Sequence, residues 1–258
     1  MQYTRFIALG DSMTEGMNDE VINGKYRGWA DRVADGLAKN QSGFTYLNLA
    51  IRGKLLNQVV TDQIPSALKF IEGRQTLVSF HAGANDVLRP TYDPNVSLPQ
   101  YEKGIKQLTD AGATVIIFTV VEKVEGKGKI AKLWHERFSA FNENVRDVSR
   151  KYPTILFEGK KAEFLNTQSF LSSDRLHMNS EGHRRLANAV LEGLGYEFDP
   201  NWRSEIPANE KKSTLKPLSN IAWVITFLIP WIWRRLRGKS SGDGRKSKHS
   251  EPIIWPAR

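Results

Sequence analysis

The sequence contains no cysteine among its 258 residues. A chain without thiols forms no disulfide, offers no thiolate ligand to a metal, and carries no thiol nucleophile. The start of the chain also lacks the pattern of a secretory leader, in which a basic region precedes a long apolar region and a small-residue cleavage site. Both absences favour a reducing compartment, and we expect a cytoplasmic protein.

Long apolar runs are scarce as well. Residues 221–233 are apolar apart from Thr226 and Pro230, and these 13 residues fall short of the roughly 20 that cross a bilayer. Tryptophans followed by arginines suit a helix that lies at a membrane surface, whereas the alternative is packing on the body or on a second subunit. We favour packing, because short apolar runs are more often buried in protein. The residues concerned are Trp223, Trp231, Trp233, Arg234, Arg235 and Arg237.

Excess positive charge is confined to the C-terminal end. Residues 203–258 hold 12 Lys and Arg against 4 Asp and Glu, whereas residues 1–202 hold 25 against 24. Because this basic end contains no recognisable binding module, no nucleic-acid partner is expected. The composition changes after Asp199, which predicts a body of residues 1–199 and an extension of residues 200–258 that opens with a polar linker.

Within the body, apolar runs alternate with segments of helical periodicity. Five runs are predicted to be strands, namely residues 3–9, 44–50, 76–82, 114–120 and 154–158, and helix-length segments separate them. Strands and helices in alternation favour an α/β fold with a parallel sheet covered on both faces. Sites in such sheets lie in the loops that follow the carboxyl ends of the strands.

Residues suited to nucleophilic hydrolysis stand in those loops. Ser12 follows the first strand and offers a hydroxyl, and His177, before the last helix, offers a base. Asp174 lies three residues before His177, so its carboxylate can reach the second ring nitrogen. Gly53 can donate a backbone N–H and Asn85 a side-chain N–H to an oxyanion. Each residue taken singly has an ordinary explanation as a turn or cap residue.

The order of these blocks is more specific than any one of them. Gly-Asp-Ser after the first strand, Asn-x-x-x-x-Gly after the second, Gly-x-Asn-Asp after the third and Asp-x-x-His before the last helix resemble the SGNH hydrolases, also called the GDSL esterase/lipase family. The resemblance covers residues of about 3 to 195. The sequences of several segments, "RRLRGKSSGDG" among them, are similar to those of a branch of these hydrolases that is common in actinobacteria.

The resemblance implies a flavodoxin-like three-layer α/β/α sandwich around a five-stranded parallel sheet. Ser12 would be the nucleophile, His177 the base and Asp174 the group that orients it. The oxyanion hole would comprise the N–H groups of Ser12 and Gly53 and the side chain of Asn85. Met13 stands where the family usually has leucine, which is a volume-conserving exchange.

The resemblance therefore predicts a serine-dependent ester hydrolase that forms an acyl-enzyme and acts on small or medium acyl esters, without cofactor or metal. A lysophospholipase, a thioesterase or a carbohydrate deacetylase would use the same residues. Two rival hypotheses are a membrane- or partner-associated module with a vestigial body, and a phosphate-binding protein that uses residues 10–16 as an anion nest. Neither gives a role to Asp174 and His177 together.

Other polar residues are expected to be structural. Asp11 and Asp86 would hold loops by hydrogen bonds, and His81, at the end of the third strand, is expected to be structural although it could line the site. His183 lies in the last predicted helix, and no pair of histidines has a carboxylate at a spacing typical of a metal site. Arg52 and Arg89 flank the loops of the site, where solvated arginine is the default. The glycine-rich loop of residues 122–130 is predicted to be a solvated connection.

Overall fold

The computed structural model describes residues 2–39, 41–120, 128–159, 168–205, 222–237 and 239–256. Six strands form the central sheet, and two short strands form a separate pair. The central strands are β1 (Arg5–Gly10), β4 (Thr45–Asn48), β5 (Thr76–His81), β6 (Thr114–Phe118), β7 (Thr154–Phe157) and β8 (His249–Ile254), and the antiparallel pair is β2 (Val21–Ile22) with β3 (Lys25–Tyr26).

The sheet has the order β7-β6-β5-β1-β4-β8. Its first five members are parallel and correspond to the five strands predicted from the sequence. Counted along the chain, they stand in the order 2-1-3-4-5, which is the flavodoxin-like arrangement. The strand order reverses between β1 and β5, so a ligand site is expected beyond the carboxyl ends of these two strands.

The prediction of five strands is one short, because β8 joins the sheet from the C-terminal extension. This strand runs antiparallel to β4, with Thr45 opposite Ile254 and Tyr46 opposite Ile253. It thus covers the edge that β4 would otherwise expose.

Helices cover both faces of the sheet. They are α1 (Ser12–Glu15), α2 (Trp29–Ala38), α3 (Leu56–Gln58), α4 (Ile64–Leu68), α5 (Ala84–Val87), α6 (Pro94–Asp110), α7 (Lys129–Lys151) and α8 (Ser180–Leu194). A π-helical turn (Val59–Gln63) joins α3 to α4, and Pro65 near the start of α4 supplies no N–H to the helical ladder.

Alternation along β1 shows how the two cores arise. Phe6 and Ala8 pack in one core with residues of α2 and α8, whereas Ile7 and Leu9 pack in the other with residues of α6 and α7. Successive side chains of a strand point to opposite faces, so a strand that is apolar at every position needs cover on both sides. The result is the expected three-layer sandwich.

The extension also forms a C-terminal helix (Ile229–Leu236), which follows a π-helical turn (Val224–Leu228). Apolar side chains of this segment are exposed, namely Ile225, Phe227, Ile229 and Trp233. Within the described ranges, no helix combines the length and apolar character that crossing a membrane requires. Residues 206–221, which hold most of the predicted linker, lie outside the described residues.

Candidate active site

The end of the first strand presents Ser12. Gly10 has a φ of 148°, and a Cβ at this position would lie 2.2 Å from the carbonyl oxygen of His81 on β5, so glycine alone permits this close approach. Asp11 caps α1 by accepting a hydrogen bond from the N–H of Met13 at 3.2 Å. Ser12 is the first residue of that helix, where a backbone N–H has no partner within the helix.

Ser12, His177 and Asp174 form a continuous hydrogen-bonded chain. The Nε2 atom of His177 lies 2.8 Å from Oγ of Ser12, and its Nδ1 atom lies 2.7 Å from Oδ2 of Asp174. Ser12 is 7% exposed, so its hydroxyl lies largely out of bulk water. With Nδ1 donating to the carboxylate, Nε2 is left free to accept the serine proton.

Asp174 is held as a carboxylate by several donors. Its Oδ1 atom accepts from the hydroxyl of Ser172 at 2.8 Å and from the N–H groups of Leu176 and His177 at 3.0 Å, and its Oδ2 atom also accepts from Asn18 at 2.7 Å. Burial by itself would raise the pKa of Asp174, but the hydrogen bonds and charge of His177 outweigh it and hold that pKa well below its usual range. The carboxylate is therefore ionised wherever the protein is folded near neutral pH.

Two further side chains that bind Asp174 were not predicted from the sequence, namely Ser172 in the same turn and Asn18 in a distant segment. Asn18 has a φ of 71° and reaches across 156 positions of sequence, and its Nδ2 atom donates to Ser172 as well as to Asp174. Asparagine adopts the left-handed backbone conformation more readily than most residues, but this preference alone does not identify a contact with Asp174 from the sequence.

The two further candidates for the oxyanion hole lie in neighbouring loops. Gly53 has a φ of 73° and follows β4, and Asn85 lies in α5 after β5. The Nδ2 atom of Asn85 donates to Oδ2 of Asp11 at 3.0 Å and to the carbonyl oxygen of Lys54 at 3.1 Å. Asn85 thus ties the loop after Gly53 to the turn that carries Ser12.

Asp11 and Asp86 hold loops, as expected. Asp11 is buried beside Asn85, and burial raises its pKa to about 6 against the opposing hydrogen bonds from Met13 and Asn85. Asp86 accepts from the N–H of Leu56 at 2.9 Å, which fixes the start of α3. Both carboxylates therefore bind backbone or amide groups around the site.

Arg52 pairs with a carboxylate instead of standing in solvent. Oε2 of Glu15 accepts from the backbone N–H of Arg52 at 2.6 Å, and the guanidinium group also binds this carboxylate. The guanidinium group lies over the ring of Tyr26, 5.2 Å from its centroid. These contacts connect α1 to the loop that carries Gly53.

The two histidines near the site, His183 fully buried and His81 half-buried, lie among apolar or backbone groups. Burial lowers the pKa of both His81 and His183 to about 4. His183 accepts from the N–H of Trp29 at 3.2 Å and lies 3.2 Å from the carbonyl oxygen of Met17, whereas His81 packs edge-on against Phe118. Among the described residues, no group of three histidines and acids is placed to bind a metal ion.

Two segments that follow β6 and β7 in the sequence lie outside the described residues. These are residues 121–127, which include most of the predicted glycine-rich loop, and residues 160–167.

A family model and solved structures relate the chain to known proteins. The model described as GDSL-like Lipase/Acylhydrolase family matches residues 8–185, a range that contains Ser12, Gly53, Asn85, Asp174 and His177. No curated protein matches the sequence significantly.

Similar solved structures include three hydrolases or lipolytic proteins. An acetylxylan esterase, Axe2 from Geobacillus stearothermophilus, has a TM-score of 0.60 and 17% identity over 80% of this chain and 100% of its own. LAE5, an alpha/beta hydrolase from the metagenome of Lake Arreo, has a TM-score of 0.58 and 20% identity over 74% and 95%. A member of the lipolytic protein G-D-S-L family from Veillonella parvula has a TM-score of 0.53 and 20% identity over 73% and 96%.

The structures of Axe2 include catalytic mutants. In these a serine, an aspartate or a histidine is replaced by alanine, and the aspartate precedes the histidine by three positions. At the identities given, these similarities establish a shared fold.

Proposed function

The chain belongs to the GDSL-like lipase/acylhydrolase family and is a carboxylic ester hydrolase, and from that premise we propose that it cleaves acyl esters through a covalent intermediate on Ser12. The observation that carries this proposal is the chain of hydrogen bonds from Ser12 through His177 to Asp174, at 2.8 Å and 2.7 Å. The same three residue types, with the same spacing between acid and histidine, are catalytic in Axe2.

The first half of the reaction transfers the acyl group to the enzyme. The Oγ atom of Ser12 attacks the carbonyl carbon of the ester while Nε2 of His177 takes the hydroxyl proton. The resulting tetrahedral oxyanion accepts hydrogen bonds from the N–H groups of Ser12 and Gly53 and from Asn85. Collapse of the tetrahedral species breaks the bond to the alcohol oxygen, which receives the proton held by His177.

The second half returns the enzyme to its resting state. Water gives a proton to Nε2 of His177 and attacks the acyl carbon, and the same donors bind the second oxyanion. Collapse then breaks the bond to Oγ of Ser12, which recovers its proton, and the carboxylic acid is released. Throughout, Asp174 stays ionised, orients the ring of His177 and stabilises its positive charge.

The substrate that we propose is a small or medium acyl ester. A second candidate is the removal of acetyl groups from a carbohydrate, which is supported by the shared fold with an acetylxylan esterase. A cytoplasmic location, and contact of residues 221–237 with a membrane surface or a second subunit, stay predictions. The exposed Ile225, Phe227 and Trp233 support such a contact.

The test compares wild-type protein with Ser12→Ala on p-nitrophenyl esters of increasing chain length, beginning with acetate. Without the nucleophile, kcat should fall by on the order of 10⁴-fold or more, while the thermal midpoint stays close to that of wild type. Labelling by a fluorophosphonate should occur on the peptide that contains Ser12 and disappear in the variant. Equal turnover by the two proteins would refute the role of Ser12.

A further inference from the structure

The C-terminal extension contacts the loop that carries Gly53. A Cβ at Gly242 would lie 1.9 Å from the carbonyl oxygen of Arg52 and 3.1 Å from the side chain of Ile51. A Cβ at Gly53 would lie 2.1 Å from Oγ of Ser240. The distances of 1.9 and 2.1 Å are well below van der Waals contact, so Gly242 meets the Arg52 backbone, and Gly53 meets the Ser240 side chain, at places where neither glycine could carry a side chain without a shift.

Hydrogen bonds within residues 240–245 set the shape of the turn that faces that loop. Oδ2 of Asp243 accepts from the N–H of Ser240 at 2.8 Å, and Oγ of Ser240 accepts from the N–H of Gly242 at 3.1 Å. The N–H of Arg245 donates to the carbonyl oxygen of Gly242 at 3.1 Å. These local bonds fix the direction in which Gly242 and Ser240 face.

The contact falls on the peptide unit that bears a proposed oxyanion donor. The carbonyl of Arg52 and the N–H of Gly53 belong to one planar trans peptide, so they point in opposite directions. Gly242 packs on the carbonyl end of this unit. Any displacement of the Arg52 oxygen therefore turns the N–H of Gly53 as well.

The extension also reaches the other side of the site. The indole Nε1 of Trp223 donates to the carbonyl oxygen of Asp174 at 2.9 Å, and the guanidinium group of Arg175 lies 4.9 Å from the centre of the Trp223 ring. Arg175 has a φ of 57° and lies between Asp174 and His177, in the turn that positions both. One segment thus contacts both the oxyanion loop and the acid–base turn.

We propose that Gly242 is a positioning residue for the reaction, because it backs the Arg52–Gly53 peptide and thereby aims the N–H of Gly53 at the oxyanion. The proposal rests on the proposed function, which assigns that N–H to the oxyanion hole. It makes the C-terminal extension a working part of the active site.

Two alanine substitutions in the same turn separate this role from a general loss of structure. Gly242→Ala places a methyl group against the Arg52 carbonyl. Gly244→Ala is the matched control: its φ of 73° strains any alanine, yet no atom lies within 4 Å of the added Cβ. If strain in the turn alone mattered, the control would be at least as impaired.

Kinetics on a p-nitrophenyl ester give the first measurement. Gly242→Ala should lower kcat by about 10- to 100-fold with KM within about twofold, which is less than the loss when an oxyanion donor is removed outright. Gly244→Ala should keep kcat within about twofold of wild type. A similar loss of kcat in both variants would show a general effect of strain in the turn and would overturn the proposal. A higher kcat in Gly242→Ala than in wild type would also overturn it, because the contact would then hinder the reaction.

An NMR measurement decides the matter independently of turnover. Labelling with ¹⁵N-glycine gives a spectrum limited to the 20 glycines of the chain, and the signal lost in Gly53→Ala identifies Gly53. The Gly53 amide signal should shift in Gly242→Ala and stay in place in Gly244→Ala. An unmoved signal refutes the proposal, whereas turnover that survives in Ser12→Ala refutes the proposed function and leaves this result standing.

Discussion

Asn85, a proposed donor of the oxyanion hole, already donates its side-chain hydrogens to other groups in the resting enzyme. Its Nδ2 atom already donates to Asp11 at 3.0 Å and to the carbonyl of Lys54 at 3.1 Å. An amide nitrogen has two hydrogens, so an oxyanion must share one of these bonds or replace it. The ionised form of Asp11 is the stronger acceptor and competes most for Asn85.

Titration of Asp11 should therefore be visible in the stability of the protein. Burial raises its pKa from 3.8 to about 6, so the folded state binds this proton more tightly than the unfolded state does. The stabilisation amounts to about 3 kcal/mol when complete, below about pH 3, and is lost as the pH rises through about 6. Asp11→Asn removes this dependence and keeps an acceptor for the N–H of Met13.

Chemical denaturation of both proteins from pH 4 to pH 7 measures the effect. The free energy of unfolding of wild type, relative to Asp11→Asn, should fall by about 2 kcal/mol across this interval and stay level above it. Groups other than Asp11 titrate in both proteins and cancel in the difference. A difference that does not change with pH would contradict the burial of an ionisable carboxyl at this position.

The residues of the site that belong to sequence motifs could be predicted from the sequence, whereas a residue that acts through a long-range contact could not. The predicted Ser12, Asp174 and His177 meet within hydrogen-bond distance, because each stands at a loop whose place follows from the order of strands and helices. Asn18 holds Asp174 across 156 positions, and nothing in its neighbours distinguishes it from an ordinary loop asparagine. Its role depends on the folded path of the chain.

At the scale of elements, the strand that sequence reasoning missed is β8. Its sequence, His-Ser-Glu-Pro-Ile-Ile, contains a proline and three polar residues, which argue against a central strand. Proline is tolerated at a sheet edge, where the missing N–H costs no ladder bond on the open side. The five parallel strands were predictable because strands that are covered on both faces have continuous apolar sequences. An edge strand with one face in solvent has a mixed sequence, which is harder to recognise.

A buried ion pair attaches β8 to α2. The Nζ atom of Lys248 lies 2.8 Å from Oδ2 of Asp31, with side-chain exposures of 4% and 7%. Oδ1 of Asp31 accepts from the hydroxyl of Tyr46 at 2.7 Å. Burial raises the pKa of Asp31 even though the charge of Lys248 opposes it.

Lys248→Met should destabilise the protein by about 3 to 5 kcal/mol at pH 7, because it leaves the Asp31 carboxylate buried without its cation. The double variant with Asp31→Asn should recover much of this loss, since the amide removes the buried charge and can still accept from Tyr46. Urea unfolding of wild type, the two single variants and the double variant gives the coupling free energy. Additive losses would contradict a buried pair between α2 and β8.

At the scale of the whole molecule, the extension contacts the body at several places along the described residues. Trp223 binds the carbonyl of Asp174, Gly242 packs on Arg52, and β8 pairs with β4. The basic charge that sets the extension apart in sequence is used in part for this attachment, through Lys248. The boundary before residue 200 is one of composition only. A change in polarity is visible in the sequence, whereas the pairing of β8 with the distant β4 is not.

A chain that ends at residue 205 tests whether the body of residues 1–199 is an independent domain. Truncation uncovers the backbone donors and acceptors of β4 and removes Trp255, which packs edge-on against Tyr46 with ring centres 4.8 Å apart. A loss of at least 3 kcal/mol is expected, which corresponds to a thermal midpoint lower by about 6 to 12 °C.

A chain that ends at residue 256 is the control for this truncation. It keeps β8 and Trp255 and should melt like the full chain. Calorimetry of the three proteins at one concentration gives the comparison, and light scattering reports aggregation through the newly exposed edge. If the chain that ends at residue 205 melts with the full-length protein, then β8 adds no stability to the sheet and the body folds on its own. If it melts early, the sixth strand is part of the folding unit, and the chemical boundary after Asp199 is not a structural one.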